Sequence, residues 1–166
     1  MYLPFEQLPG NSRIWIYPSD RPLTAAEQDG AAASLKEYCS GWSAHGHPLH
    51  TSFRIIHDHF IILAADEQAA AASGCSIDGS VRHLKQLGAQ LGIDFFSRTL
   101  VPFLKAGKVT FIPLEALKEA FRSGELLAET LTFNTLAATV AELEGSWLVP
   151  AGQTWLSRYV PSMKSA

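Results

Sequence analysis

Hydrophobic and polar residues alternate near the start of the chain in a pattern that predicts a strand followed by a helix. Residues 12–17 read Ser-Arg-Ile-Trp-Ile-Tyr, an alternation of branched and aromatic side chains that is typical of strands. Behind it, Thr24-Ala-Ala-Glu27 is a capping-box pattern, which predicts the start of a helix. Leu35, Cys39 and Trp42 then recur at helical spacing, so we expect them on one buried face.

The next segment predicts two strands and a second helix. Residues 51–67 read TSFRIIHDHFIILAADE, and His57-Asp58-His59 is expected to form a tight connection between two strands. Residues 60–65 are apolar at every position, which favours a central strand covered on both faces. Ile77, Val81 and Leu84 predict the buried face of a helix that ends at Gly92. The order β-α-β-β-α is that of a ferredoxin-like arrangement, with a possible further strand in residues 95–104.

The remaining residues predict a smaller set of elements in the order β-β-α-β-α. Residues 101–113 read VPFLKAGKVTFIP, a hairpin around Ala106-Gly107, and Pro113 and Gly124 bound a short helix. A strand at 130–133 and a helix ending at Gly145 follow. The chain is therefore predicted to be α+β, with a domain at 1–97 and a smaller subdomain at 98–166 that pack as one globular unit.

Composition and charge exclude several classes of protein. The 166 residues include 47% hydrophobic and 17% charged positions, as in an ordinary globular protein. The net charge of −3 and the lack of a basic stripe argue against a nucleic-acid partner. The longest apolar run, residues 60–65, is too short to span a membrane. Two cysteines and no signal-peptide pattern lead us to expect a cytoplasmic protein with reduced thiols.

The most distinctive candidate site is the start of the second predicted helix. A helix N-terminus has unpaired N–H groups and partial positive charge, which favours anions and thiolates. Three roles are possible: a helix cap, a ligand-binding helix end, or a thiol nucleophile. We favour the cap and expect a largely buried Cys75, because Asp78 opposes a thiolate nearby. The ligand-binding alternative would use Ser73, Gly74, Cys75, Ser76 and Asp66.

Histidines and tryptophans supply the other candidates. His-x-His on a strand is a usable metal-ligand spacing, and the residues that would supply it are His45, His47, His57 and His59. They fall in a polar loop and around a predicted turn, so we predict neither a metal site nor a cofactor. Cys39 is expected in the core. Trp147 and Trp155 flank a non-periodic tail and are expected to close over the core rather than form an exposed patch.

The C-terminal half resembles the bacterial GYF-type module. The matching stretches are GKVTFIPLEALKEAFRSGELLAETLTF and GSWLVPAG, in which Gly124, Thr130, Trp147 and Pro150 occupy the family's positions. The family's Gly-Tyr-Phe core is absent from this stretch. The resemblance implies a module that binds proline-rich peptides.

The whole chain also resembles a group of small bacterial proteins often labelled ABC transporter ATPase. The matching stretches are SRIWIYPSDRPLT, SAHG, ASGCSID and TVAELEGSWLVP. ATPase activity needs a phosphate-binding loop G-x-x-x-x-G-K-[ST]. The nearest match, residues 102–109, has Pro for the first Gly and Val for the final Ser or Thr, so we reject that activity.

These patterns favour a non-catalytic module that binds a peptide, a protein or a small ligand. The alternative is a small enzyme that uses Cys75 as a nucleophile or the histidines as metal ligands.

Overall fold

The computed structural model describes residues 1–162, which form two compact units. The first unit contains Met1–Ser97 and Leu136–Gly145, and the second contains Arg98–Thr135 and the described residues from Ser146 onward. The chain passes from the first unit to the second after Ser97. The segment Leu136–Gly145, which the sequence pattern assigns to the second part, lies instead with the first unit.

Antiparallel strands and helices make up both units, as expected for the α+β class. In chain order the elements are β1 (Arg13–Pro18), α1 (Ala25–Gly41), β2 (Ser43–Ala44), β3 (His47–Pro48), β4 (His50–Ile56), β5 (Phe60–Asp66), α2 (Gly74–Leu91), β6 (Leu100–Lys105), β7 (Lys108–Pro113), α3 (Leu117–Arg122), β8 (Leu131–Phe133), α4 (Val140–Ser146) and β9 (Leu148–Pro150). Short 3-10 helices occupy Phe5–Gln7, Leu114–Ala116, Ala151–Gln153 and Trp155–Tyr159. Within residues 1–162, no helix is long and apolar enough to cross a bilayer.

The first unit has a three-stranded sheet in the order β1-β5-β4, consistent with the ferredoxin-like arrangement. The central strand β5 is fully buried from Phe60 to Ala65, which confirms the prediction from its apolar run. Among residues 1–162, no fourth strand follows α2 in this sheet, because residues 100–104 of the proposed stretch 95–104 belong to β6 of the second unit. Instead, the N–H of Ile14 on β1 donates to the carbonyl of Ala138, 3.0 Å away. The returning segment thus covers an edge that would otherwise expose unpaired backbone groups.

Helices α1 and α2 contribute to one hydrophobic core with the sheet. Leu35 and Cys39 of α1 and Leu84 of α2 are fully buried in it, beside Leu63 of β5. The predicted capping box begins α1: the Glu27 N–H donates to Thr24 Oγ1 at 3.2 Å, and the Thr24 N–H donates to Glu27 Oε2 at 2.9 Å. Expected core positions for Cys39 and Trp42 are confirmed.

The opposite side of β4 carries a charged link between two other segments. Arg54 Nη2 lies 2.8 Å from Glu6 Oε1, and Arg54 Nη1 lies 3.8 Å from Glu144 Oε1 on α4. The guanidinium also sits over the Phe5 ring, 4.0 Å from its centroid. Arg54 therefore connects the N-terminal 3-10 helix and α4 to the same strand.

The second unit is built on a four-stranded sheet in the order β7-β6-β8-β9. The predicted hairpin at Ala106-Gly107 is confirmed, and both residues have positive φ angles, 50° and 75°. Strand β9, Leu148–Pro150, is not predicted by the sequence pattern; it is short and ends in a proline. Phe103 on β6, Phe121 on α3 and Leu156 in the C-terminal 3-10 helix contribute to one core.

Candidate functional site

The sequence-predicted site at the start of α2 is a hydrogen-bonded helix cap. Ser73 is the N-cap residue, and its Oγ accepts from the Ser76 N–H at 3.1 Å. Ser76 Oγ donates in return to the Ser73 carbonyl at 2.8 Å. These bonds satisfy groups that a helix start leaves unpaired. The favoured capping role is therefore confirmed for Ser73.

Cys75 is exposed, so the prediction of a largely buried thiol is wrong. The buried side of α2 includes Leu84, which lies nine residues further along the helix. At about 100° per residue, nine residues place Cys75 on the opposite side of the helix axis. The first turn of α2 also has no acidic residue, because Asp78 follows only in the second turn.

The acidic residues before α2 are engaged in the loop that leads to it. Asp66 Oδ1 accepts from the Gln68 N–H at 3.0 Å, and Glu67 Oε1 accepts from the Ala72 N–H at 2.9 Å. A pocket of about 160 Å³ beside Asp66 is lined by Asn11, Glu67 and Gln68, with none of residues 73–76 in its wall. The pocket beside Asp66 therefore does not include the start of α2.

The four histidines considered as metal ligands lie in turns and on a short strand. His45 and His57 have positive φ angles of 52° and 53°, and His57 with Asp58 forms the tight connection predicted between β4 and β5. His59 is 8% exposed, and its Nδ1 lies 2.8 Å from the His57 carbonyl oxygen. His47 lies on the short strand β3. Across residues 1–162, no three His, Cys, Asp or Glu side chains are grouped so as to hold a metal ion.

A pocket of about 400 Å³ lies at the C-terminal end of α2 in the first unit. Asp20, Lys85, Asp94 and Phe96 are among its lining residues. Asp20 Oδ1 accepts from the Asp94 N–H at 3.0 Å, and Asp94 Oδ1 accepts from the Phe96 N–H at 2.8 Å. Both carboxylates therefore accept hydrogen bonds from the backbone turn that follows α2.

A groove that the sequence did not predict lies between α3 and the C-terminal 3-10 helix. Its volume is about 390 Å³, and its lining combines basic and apolar side chains: Lys118, Arg122, Arg158, Tyr159, Val160 and Pro161. We call this feature the basic groove. The Tyr159 ring stacks on the buried Phe121 ring with centroids 6.4 Å apart and planes inclined by 10°. Packing against the core of the second unit thus fixes the aromatic part of the groove.

Two of the three cations in the basic groove have no acidic partner among residues 1–162. Arg122 is held by Glu119 through two bonds of 2.7 Å, from Nε to Oε2 and from Nη2 to Oε1. This pair lowers the pKa of the Glu119 carboxyl and raises the pKa of Arg122. Lys118 and Arg158 form no salt bridge within residues 1–162. Both side chains are exposed, so the groove presents positive charge to solvent.

Trp155 extends the aromatic surface next to the basic groove. It is 42% exposed, so the expectation that it closes over the core is wrong. Arg158 Nε donates to the Trp155 carbonyl at 3.2 Å, and the Arg158 guanidinium lies 5.8 Å from the Trp155 ring centroid. Trp155 also meets the Tyr159 ring edge-on, with centroids 6.2 Å apart. Trp147 behaves differently, since it packs against the buried Phe133 at 5.2 Å.

The chain was compared with models of protein families, with curated proteins and with solved structures, and none of these comparisons found a match. The resemblances to the GYF-type module and to the group labelled ABC transporter ATPase therefore stay predictions.

Proposed function

We propose that the protein is a non-catalytic binding module whose ligand occupies the basic groove of the second unit. This proposal depends on the composition of the groove. Two exposed cations, Lys118 and Arg158, line it together with an apolar surface formed by Tyr159, Val160 and Pro161. A ligand that combines an anionic group with an apolar body matches both parts of this lining. Ligand sites in proteins commonly combine an apolar wall with a few polar groups that fix orientation.

Charge supports an anionic ligand. The protein as a whole has a net charge of −3, whereas every charged residue that lines the groove is basic. Opposite charges attract a ligand during encounter and fix its orientation once it is bound. Neither Lys118 nor Arg158 stabilises the fold through a salt bridge in the described residues, which leaves both available to a ligand.

The proposal places the module in the cytoplasm. Cys39 and Cys75 are both free cysteines, and such thiols are typical of reducing compartments.

Two small probes with one skeleton test the proposed site. We expect 4-phenylbutyrate to shift the backbone NMR signals of Lys118, Tyr159 and Val160 in the folded protein. The matched amine, 4-phenylbutylamine, should leave these signals unchanged, because like charges repel. Equal shifts from both probes, or shifts confined to the first unit, would contradict the proposal.

Two charge reversals provide the controls. Lys118→Glu should abolish the phenylbutyrate shifts, since it removes an unpaired cation from the groove. Lys108→Glu makes the same change at an exposed position on β7 in the same unit. Unchanged shifts in the Lys108 variant would assign the effect to the groove rather than to overall charge.

A further inference from the structure

We infer that the natural occupant of the basic groove is an acidic linear peptide in which Asp or Glu residues flank an apolar side chain. This inference rests on the proposed function and names the class of partner. Three observations favour such a peptide: the size of the groove, the carboxylate already bound at its wall, and the exposed aromatic surface beside it.

Size favours an occupant larger than an inorganic anion. The groove measures about 390 Å³, and Val160 and Pro161 contribute apolar surface that phosphate or sulfate would leave uncovered. Ligand-binding pockets span roughly 300–1,000 Å³. A few residues of extended peptide can place an apolar side chain on Tyr159 while neighbouring carboxylates reach Lys118 and Arg158.

Arg122 shows that a carboxylate fits the wall of the groove. Glu119 places both of its oxygens against the Arg122 guanidinium at 2.7 Å. Two parallel N–H···O bonds of this kind match the planar fork of Arg to a carboxylate. Arg158 uses its Nε for the Trp155 carbonyl, which leaves its two terminal amino groups for a peptide carboxylate.

The number of cations favours a peptide over a nucleic acid. The groove has three basic residues, and one of them is already neutralised by Glu119. Nucleic-acid affinity comes largely from Lys and Arg contacts to phosphates, of which a DNA-binding protein can make about 6–10. The Tyr159 ring also packs against Phe121, which leaves less of that ring open to a stacking base.

Trp155 provides surface for an apolar residue of the peptide. The residue is 42% exposed, and its ring contacts Arg158 and Tyr159 of the groove. Tryptophan and arginine are the residue types that most often dominate binding energy at interfaces. A peptide Leu or Phe on this surface would remove apolar area from water.

Fluorescence polarisation with labelled eight-residue peptides tests the inference on the full chain. In the test peptide, Asp and Glu alternate with Leu and Phe. We expect an amide version, with Asn and Gln, to bind about two- to thirtyfold more weakly, since two exposed ion pairs are lost. An octamer of Glu alone should also bind more weakly, because it lacks the apolar side chains. Equal affinity for the acidic and amide peptides would overturn the inference.

Charge reversal offers a gain of binding that misfolding cannot imitate. Lys118→Glu combined with Arg158→Glu should weaken the acidic peptide by about tenfold or more. The same double variant should bind a matched peptide with Lys in place of Asp and Glu more tightly than the unchanged protein does. Lys108→Glu is the matched control and should alter neither affinity by more than about twofold. If the double variant binds the acidic peptide more weakly but does not bind the basic peptide more tightly, Lys118 and Arg158 do not contact the peptide directly.

The outcomes separate this inference from the proposed function. If phenylbutyrate binds at the groove but the acidic peptide binds no more tightly than its amide version, the inference is wrong and the proposed function is still supported. If phenylbutyrate does not bind at the groove and the acidic peptide is not preferred, the inference and the proposed function are both wrong. Tighter binding of a thymidine octamer than of the acidic peptide would replace the peptide with single-stranded nucleic acid.

Discussion

The imidazole of His83 stacks on the ring of Tyr38, with ring centroids 4.6 Å apart and planes inclined by 23°. His83 Nε2 also lies 3.0 Å from Ser34 Oγ, so one histidine joins α2 to two residues of α1. Burial lowers the pKa of His83 below its ordinary value of 6.5, and the negative charge of Glu37 partly opposes this shift. The contact between the helices is therefore built around a neutral imidazole.

Protonation of His83 should weaken the first unit. The unfolded chain takes up this proton near pH 6.5, before the folded protein does, so stability falls as the pH drops below that value. When the pH is lowered from about 7 to about 5.5, we expect the urea concentration at the midpoint of unfolding to decrease. His83→Gln should reduce this pH dependence because it removes the titrating group. An equally steep fall in that variant would assign the effect to other residues.

Glu27 should contribute to stability at neutral pH and lose that contribution in acid. Its hydrogen bonds with the Arg21 guanidinium, and then with the Thr24 backbone, lower its pKa from 4.5 to about 2. The unfolded chain therefore binds the proton first, and the contribution is lost as the pH falls from about 4.5 towards 2. Acid titration of Glu27→Gln, followed by circular dichroism, should lack this part of the transition.

Asp29→Asn is the matched control for Glu27→Gln. Asp29 is an exposed acidic residue on the same helix. Its variant should keep the acid transition of the unchanged protein. A loss of the transition in both variants would show that overall charge, and not the capping box, is responsible.

Two helical glycines should respond in opposite directions to replacement by alanine. A Cβ at Gly88 would lie 2.5 Å from the Ile93 carbonyl oxygen, and a backbone atom cannot easily move away. Gly88→Ala should therefore destabilise the protein by about 1–3 kcal/mol. Gly30→Ala meets nothing within 4 Å in the middle of α1 and should stabilise it by about 0.5–1 kcal/mol. Thermal unfolding of both variants measures the contrast, which equal effects would contradict.

The two cysteines should differ sharply in their reactivity towards iodoacetamide. Cys75 is exposed and should react in the native protein. Cys39 is fully buried, and burial raises its pKa from 9.0 to about 11, so it stays a thiol at neutral pH. Mass spectrometry of the Cys39→Ala variant measures labelling of Cys75 alone, and that of the Cys75→Ser variant measures labelling of Cys39 alone. We expect native labelling only in Cys39→Ala, and labelling of Cys75→Ser only after denaturant is added. Slow native labelling of Cys75 would contradict its exposure.

Short-range signals in the sequence were enough to predict much of the fold. The capping box at Thr24 and Glu27 spans four residues, and the hairpin at Ala106-Gly107 depends on two. Residues 60–65 needed no distant partner to indicate a central strand, because an unbroken apolar run is stable only when both faces are covered. In each case the physical cause lies within one element.

Tertiary structure alone decided which surfaces stay open to solvent and which distant segments meet. Cys75 is exposed because α2 turns its opposite side to the core. Ile77 and Val81, which the pattern places on the buried side, are only half-buried, so the apolar residues near Cys75 did not fix that rotation. Segment 138–140 pairs with β1 through backbone groups, which every non-proline residue possesses and which therefore leave no side-chain signature. The basic groove unites Lys118 with Arg158 because Tyr159 stacks on Phe121, a contact between segments far apart in the chain. Hydrophobic periodicity reports which side of an element is buried, whereas the partner that covers it is chosen by packing across the whole unit.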